Sequence, residues 1–395
     1  MLLDDSIDHA SQSSLRHRCS LALLIGLLAS WPQRAARAED SLVYKYEDYQ
    51  EAAGRIDVKE QAGAVSQDLT PEMNLKLTGT LDAIAGATPT GQPAPAGASQ
   101  VPLTQMTERR KEWTGDLSRQ FSNVSVDAGF ADSRESDYVS AGWSVNASVD
   151  FNQKNTTLLV GAAGTSDRVE VFFEPAYLPK RTANGIVGVT QLLDPLTSVS
   201  FTVTWGRADG YLGEQRKLVE KSIQFLPGIF LPESFGENRP DKKDHASAVL
   251  AANRAFPALK GAAEGSYRFY RDTFGVTGNT LEAAWYQHLG AKFALRPSLR
   301  FYDQTAASFY YYNLDDTAIV PTHIPTGRGP FYSSDYRISA LEDYSVGAKA
   351  IWNLGDRLEL DVAFERFRMR GRDGVTSQSA YPLAAITTAG AKFTW

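Results

Sequence analysis

The sequence predicts an all-β protein: a transmembrane up-and-down antiparallel β-barrel of about 16 strands. Three observations predict it. Apolar and polar residues alternate with period two along almost the whole chain. The alternating runs are about twice the usual strand length of ~5–6 residues. The polar face of these runs also carries Arg, Glu and Asp, which a dry core does not tolerate. Apolar outside and charged inside is the pattern of a membrane barrel with a wet lumen.

Composition agrees. The chain has 395 residues, 43% apolar and 22% charged, and one cysteine. Its mean hydropathy is negative, which excludes a polytopic helical membrane protein, because each helical span takes about 20 apolar residues. The one short apolar run, 21–31, follows Arg16 and Arg18 and precedes Ala36-Arg37-Ala38. That layout is a secretory signal with an A-x-A cleavage site. Residues 1–38 are therefore expected to be a signal peptide and 39–395 the barrel. Cleavage would remove Cys19, and with it four bases (Arg16, Arg18, Arg34, Arg37) and three acids (Asp4, Asp5, Asp8), leaving the acidic excess slightly larger. No net basic surface is offered to nucleic acid.

The strands are expected at 41–50, 54–69, 73–84, 109–121, 123–132, 138–151, 155–168, 181–193, 197–210, 244–256, 261–272, 277–289, 292–311, 334–353, 357–370 and 384–395. Tyr138 to Phe151 shows the pattern well: Val139, Ala141, Trp143, Val145, Ala147, Val149 and Phe151 alternate with Ser140, Gly142, Ser144, Asn146, Ser148 and Asp150. Val199, Phe201, Val203 and Trp205 alternate in the same way with Ser and Thr. Tight connections fall at 70–72, 122, 152–154, 194–195, 257–260, 290–292 and 354–356, and longer polar connections lie between them. An even strand count puts both termini on the side of the short turns, which in bacterial outer-membrane barrels is the periplasm. Phe393 and Trp395 end the chain on the outward face and look like the assembly signal of such barrels. Outer-membrane lipid and the barrel assembly machinery of a Gram-negative bacterium are the partners this implies.

Several stretches resemble one family. They are Leu81 to Gly91 (LDAIAGATPTG), Ser118 to Tyr138, Asp150 to Gly161, Gly210 to Lys217 (GYLGEQRK), Glu237 to Ser247 (ENRPDKKDHAS) and Ser333 to Leu341 (SSDYRISAL). Together they are similar to the domain of unknown function 3570 family, predicted bacterial outer-membrane barrels. The insert Phe225 to Pro232 is longer than that pattern leads one to expect. The resemblance implies no catalytic residue and no cofactor. It does imply one further role, a sheath for a small periplasmic or lipid-anchored flavin-bearing redox protein.

Lumen charge is the main candidate for function. Arg268, Arg296, Arg300 and Lys349 point inward from the eleventh to fourteenth strands, and Asp82, Asp116, Asp127 and Asp150 from the third to sixth. Rows on opposite walls of an aqueous channel would select permeants by charge; the alternative is that they pair locally. The segment 211–243 is too long for a plain connection. Its apolar centre, Phe225, Leu226, Ile229, Phe230 and Leu231, is compatible with a constriction, a partner-docking element or a hairpin above the membrane. Phe309 to Tyr312, with Trp113, Trp143, Trp205, Trp285 and Trp352, are expected in the aromatic girdles. Only His245, His288 and His323 follow the leader, with no H-x-x-x-H pair, no thiol and no nucleophile-elbow motif, so neither an enzyme nor a metal site is expected. The expected role is a porin-like channel for small solutes or ions. The alternatives are the redox sheath and an adhesive barrel that acts through its loops.

Overall fold

The computed structural model describes residues 40–171, 173–214 and 216–395. The expected leader, 1–38, lies outside these. Eighteen strands form: β1 (Ser41–Glu51), β2 (Asp57–Thr70), β3 (Met73–Pro89), β4 (Leu103–Phe121), β5 (Val124–Arg134), β6 (Tyr138–Phe151), β7 (Thr156–Val171), β8 (Glu174–Asp194), β9 (Thr197–Gly210), β10 (Leu218–Leu226), β11 (Ile229–Gly236), β12 (Lys242–Phe256), β13 (Gly261–Asp272), β14 (Thr277–His288), β15 (Phe293–Gln304), β16 (Leu341–Leu354), β17 (Leu358–Gly371) and β18 (Leu383–Thr394). Sixteen of them close an antiparallel barrel in chain order. In it β9 pairs directly with β12, and β18 returns to β1. The remaining two, β10 and β11, form a separate hairpin.

Closure leaves the barrel without an edge, so its backbone N–H and C=O groups pair within the wall. In lipid each unpaired group would cost several kcal/mol. The start of β1 and the end of β18 share the rim of the seven short turns, where the Trp395 amide donates to the Asp40 carbonyl at 3.1 Å. The other rim carries the long connections.

Alternation sorts the wall as the sequence predicts. Outward positions are mostly apolar and exposed, with charged side chains such as Lys111 and Arg134 nearer the rims, and two aromatic rows bound the apolar belt. Trp113, Phe130, Trp143, Trp205, Tyr344 and Phe364 lie toward the long-loop rim, with Phe121, Phe151, Phe293, Trp352 and Phe393 toward the short-turn rim. Trp395 stacks on Phe393 with ring centroids 6.0 Å apart. Inward positions are mostly polar or charged, apart from a buried apolar cluster of Tyr49, Val58, Ile84, Met106, Phe367 and Ile386 near the long-loop end.

Strand bounds match the expected ones at 138–151, 197–210 and 261–272. The largest departures, each of seven residues at one end, are at 181–193, where β8 already begins at Glu174, at 334–353 and at 292–311. There β15 stops at Gln304, because its neighbour β14 begins at Thr277 and pairing ends at Gly278↔Gln304. A strand without a neighbour has nothing to take its hydrogen bonds. Phe309 to Tyr312 are consequently not in a girdle. Phe309 is buried against Phe274, Val276 and Ala307, inside the folded connection 305–340. The connection also claims 334–340, so β16 starts only at Leu341.

Candidate functional site

The eight charges singled out in the sequence all point inward, and each wall holds both signs. Arg296 reaches Glu264 at 2.8 Å. Arg300 reaches Asp343 at 2.5 Å and Glu282 at 3.4 Å. Lys349 lies 3.6 Å from Asp361, which also binds Lys45 at 2.8 Å. Asp82 binds Arg110 at 2.6 Å. Side chains on neighbouring strands stand ~5 Å apart, so the nearest opposite charge is beside each group rather than across the lumen. Asp127 accepts from the Asn146 amide at 3.0 Å, and Asp150 from the Thr157 hydroxyl at 2.7 Å. Asp116 is the register partner of Lys76. Arg268 extends over the Tyr270 ring, 5.5 Å from its centroid. What stands across the lumen is therefore Arg268 on β13 against Asp116, Asp127 and Asp150 on β4 to β6, a narrower opposition than two full rows.

The hairpin β10–β11 leaves its tip uncovered. Phe225 and Phe230 are 69% and 60% exposed, and Leu226, Ile229 and Leu231 are exposed as well. They line no packed constriction. Only the base of the hairpin is held, by Val219 packed against Leu314 and Tyr332 and by the Lys221 ammonium, which donates to the carbonyls of Leu314, Thr317 and Ile319.

The long-loop rim is covered by other packed segments. Connections 90–102, 211–241, 305–340 and 372–382 fold together over the long-loop rim, and their partners come from all round the barrel. Lys217 donates to the Thr88 hydroxyl at 3.2 Å and to the Pro89 carbonyl at the end of β3. Arg216 reaches Asp137, between β5 and β6, at 3.2 Å. Tyr336 meets Tyr381, between β17 and β18, edge to face at 5.5 Å. The centre of this lid is a buried ionic chain. Arg239 binds Glu237 and Asp335, both at 2.7 Å. Arg337 binds Asp335 at 2.6 Å and Glu214 at 3.0 Å. The Ser333 hydroxyl donates to Glu237 at 2.5 Å.

Burial opposes the charge on Asp335, yet Arg337 and Arg239 outweigh it and hold this carboxyl far below the usual carboxylate range. Glu237 goes the other way: burial raises it, and Arg239 offsets only part of that. Burial also pushes the Lys217 ammonium down to about 8 from its ordinary 10.5. Below pH 8 this lysine is charged whether the lid is folded or open, and the folded lid carries the whole desolvation cost, roughly 3 kcal/mol. As pH rises from 8 toward 10.5 the open form holds more protons than the folded one, so the lid gains stability. Limited proteolysis of connection 305–340 is expected to slow across that window in the wild type and to be independent of pH in Lys217→Met. A flat wild-type profile would remove Lys217 as the cause.

Glu108, Glu135 and Asp137 bring carboxylate oxygens within 4.8 Å of one another at the same rim. Arg216, 3.9 Å from Glu108 and 3.2 Å from Asp137, supplies the countercharge there.

Residue types alone did not single out Glu214, Lys217, Glu237, Arg239, Asp335 or Arg337. The signal that could have found them is the resemblance itself, since the stretches 81–91, 210–217, 237–247 and 333–341 converge on this lid. A family model described as "Protein of unknown function (DUF3570)" matches residues 19–177 and 176–382. The chain belongs to the DUF3570 family. No curated protein is a match for the sequence. Among solved structures, the DUF3570 chain is similar to one titled "Bacterial polysaccharide outer membrane secretin", at 8% identity and a TM-score of 0.51 over 91% of this chain and 99% of that one. It is also similar to the outer membrane protein opdK from Pseudomonas aeruginosa, at 8% identity and a TM-score of 0.42 over 90% and 99%. The first of these shows the fold: a transmembrane-type barrel.

Proposed function

We propose that this DUF3570 barrel is a channel of a Gram-negative outer membrane. It passes small polar solutes or ions through a charged lumen, with the loop lid as its gate and the short-turn rim in the periplasm. One observation carries the reading: the difference between lumen and lid. On β14 and β15 the lumen pairs stay within reach of water, with the Arg300 and Glu282 side chains 22% and 33% exposed, whereas Lys45–Asp361 and Arg110–Asp82 elsewhere on the wall are packed nearly as tightly as the lid. In the lid, Arg239, Glu237 and Asp335 are 3% exposed or less. A wetted charged wall passes polar solutes only when the packed lid gives way.

Reconstitution into planar bilayers tests this. Brief, infrequent openings are expected from the wild type. Arg268→Glu should shift the permeability ratio toward cations, because it removes the one lumen guanidinium that faces Asp116, Asp127 and Asp150 without a carboxylate of its own among the described residues. Unchanged selectivity would eliminate Arg268 as the filter. Silence from both the wild type and a lid-opened variant would sink the channel reading.

A further inference from the structure

The outward wall contains a groove that a uniform lipid belt does not need. Gly63 on β2 and Gly79 on β3 are direct cross-strand partners. Both face outward, and a Cβ on either would meet nothing within 4 Å. Glycine inside a strand weakens it and marks a place where a ligand or a backbone comes close. Tyr44 pairs with Gly63 and Trp113 with Gly79. The two aromatic rings, each about half exposed, thus wall a trough floored by backbone, of about 590 Å³. One row nearer the long-loop rim sit Lys111 and Arg134, partners across β4 and β5 and lining the same groove. Among the described residues Lys111 forms no ion pair. Arg134 binds Asp132 at 2.9 Å with its side chain 69% exposed, leaving the guanidinium open to a further acceptor.

The geometry points to a binding site for a phosphorylated membrane lipid, with its acyl chain in the glycine trough between Tyr44 and Trp113 and its phosphate on Lys111 and Arg134. Three features select this occupant. The trough is continuous with the lipid-facing belt, so hydrocarbon is already its solvent. One of its aromatic walls, Trp113, belongs to the row nearer the long-loop rim, where ring edges meet headgroups. The cations lie on the headgroup side of those rings, where they attract anionic lipid. A neutral lipid would fill the trough and leave both cations unused. A protein partner would have to reach a floor below the girdle, inside the membrane. A second outward groove, of about 500 Å³, lies four strands further round the wall and is lined by Phe130, Trp143, Arg181 and Arg207; there the two rings are direct cross-strand partners and Arg207 is held by Asp244.

Native mass spectrometry of the full barrel in neutral detergent tests the assignment, with dioleoyl phosphatidic acid, the matching diacylglycerol and inorganic phosphate as separate probes. Phosphatidic acid is expected to remain bound through detergent removal, and diacylglycerol and inorganic phosphate to be lost. Lys111→Glu/Arg134→Glu should retain one fewer phosphatidic acid than the wild type, with affinity at that site reduced roughly tenfold or more. Gly79→Leu, which fills the trough and keeps the charges, should lose the same molecule. The charge variant alters only exposed side chains, so its result stands even if the filled trough hinders folding. Equal retention of diacylglycerol and phosphatidic acid would overturn the site. So would an unchanged phosphatidic acid count in the charge variant, or inorganic phosphate held as firmly as the lipid.

Discussion

Arg239→Ala is expected to convert a mostly closed barrel into a conducting one. The substitution leaves Glu237 and Asp335 facing each other, each 1% exposed, with Arg337 as the one guanidinium still bound to Asp335. Removing one partner from a buried ion pair typically costs about 3–5 kcal/mol, because the other charge stays out of water. The barrel wall does not depend on this pair, since its strands are held by their own ladders. The cost therefore falls on the closed lid alone. Three kcal/mol moves an open–closed equilibrium on the order of a hundredfold, which single-channel open probability would register directly. Arg239→Lys keeps the charge but loses the fork that spans two carboxylates, and should fall between the two. An Arg239→Ala barrel that stays as closed as the wild type would show that the ionic chain is not the latch.

The second large effect concerns barrel closure. Lys45 on β1 and Asp361 on β17 are not on adjacent strands; β18 lies between them, with Gly390 in register with both. The Lys45 ammonium donates to both Asp361 oxygens, at 2.9 and 2.8 Å, directly over this glycine. A Cβ on Gly390 would fall 2.1 Å from one Asp361 oxygen and 2.7 Å from the Lys45 nitrogen. Only glycine lets the pair cross the last strand, so the first strand is tied to the one before the last. Gly390→Val is expected to part the pair. Asp361→Ala would leave Lys45 and Lys349, 5% and 6% exposed, without this carboxylate. Each should lower the temperature at which the barrel unfolds on a heat-modifiability gel, on the order of 10 °C for a loss of 3–5 kcal/mol. Gly265→Ala is the control. Its nearest neighbour, the Glu282 carbonyl, is 3.9 Å away, and it should be nearly silent. Equal melting of Gly390→Val and Gly265→Ala would rule out the clasp.

The wall was legible in the sequence because its rule is local. Along 138–151 each residue faces lipid or lumen by parity, so Trp143 and Ser144 can be assigned without knowing any partner. The turns at 152–154 and 257–260 were legible for the same reason, their chemistry being complete within a few residues. The inward direction of Arg296, Arg300 and Lys349 followed too. Their pairing did not, because Glu264, Glu282, Asp343 and Asp361 come from other strands, and register is set between strands. The aromatic run 309–312 misled because its composition suits a girdle, and only the missing neighbour beyond Thr277 shows that no strand can continue there. Glu237, Arg239, Asp335 and Arg337 read in isolation as ordinary loop charges.

By itself, then, the sequence determined the class of fold, the sixteen strands of the wall, and which face of each of them meets lipid, since period-two alternation in a two-solvent wall needs no long-range information. The tertiary structure alone decided the lid, the clasp over Gly390 and the glycine trough. Each depends on which residues from distant parts of the chain share a few ångströms, and charge is buried only where such partners meet.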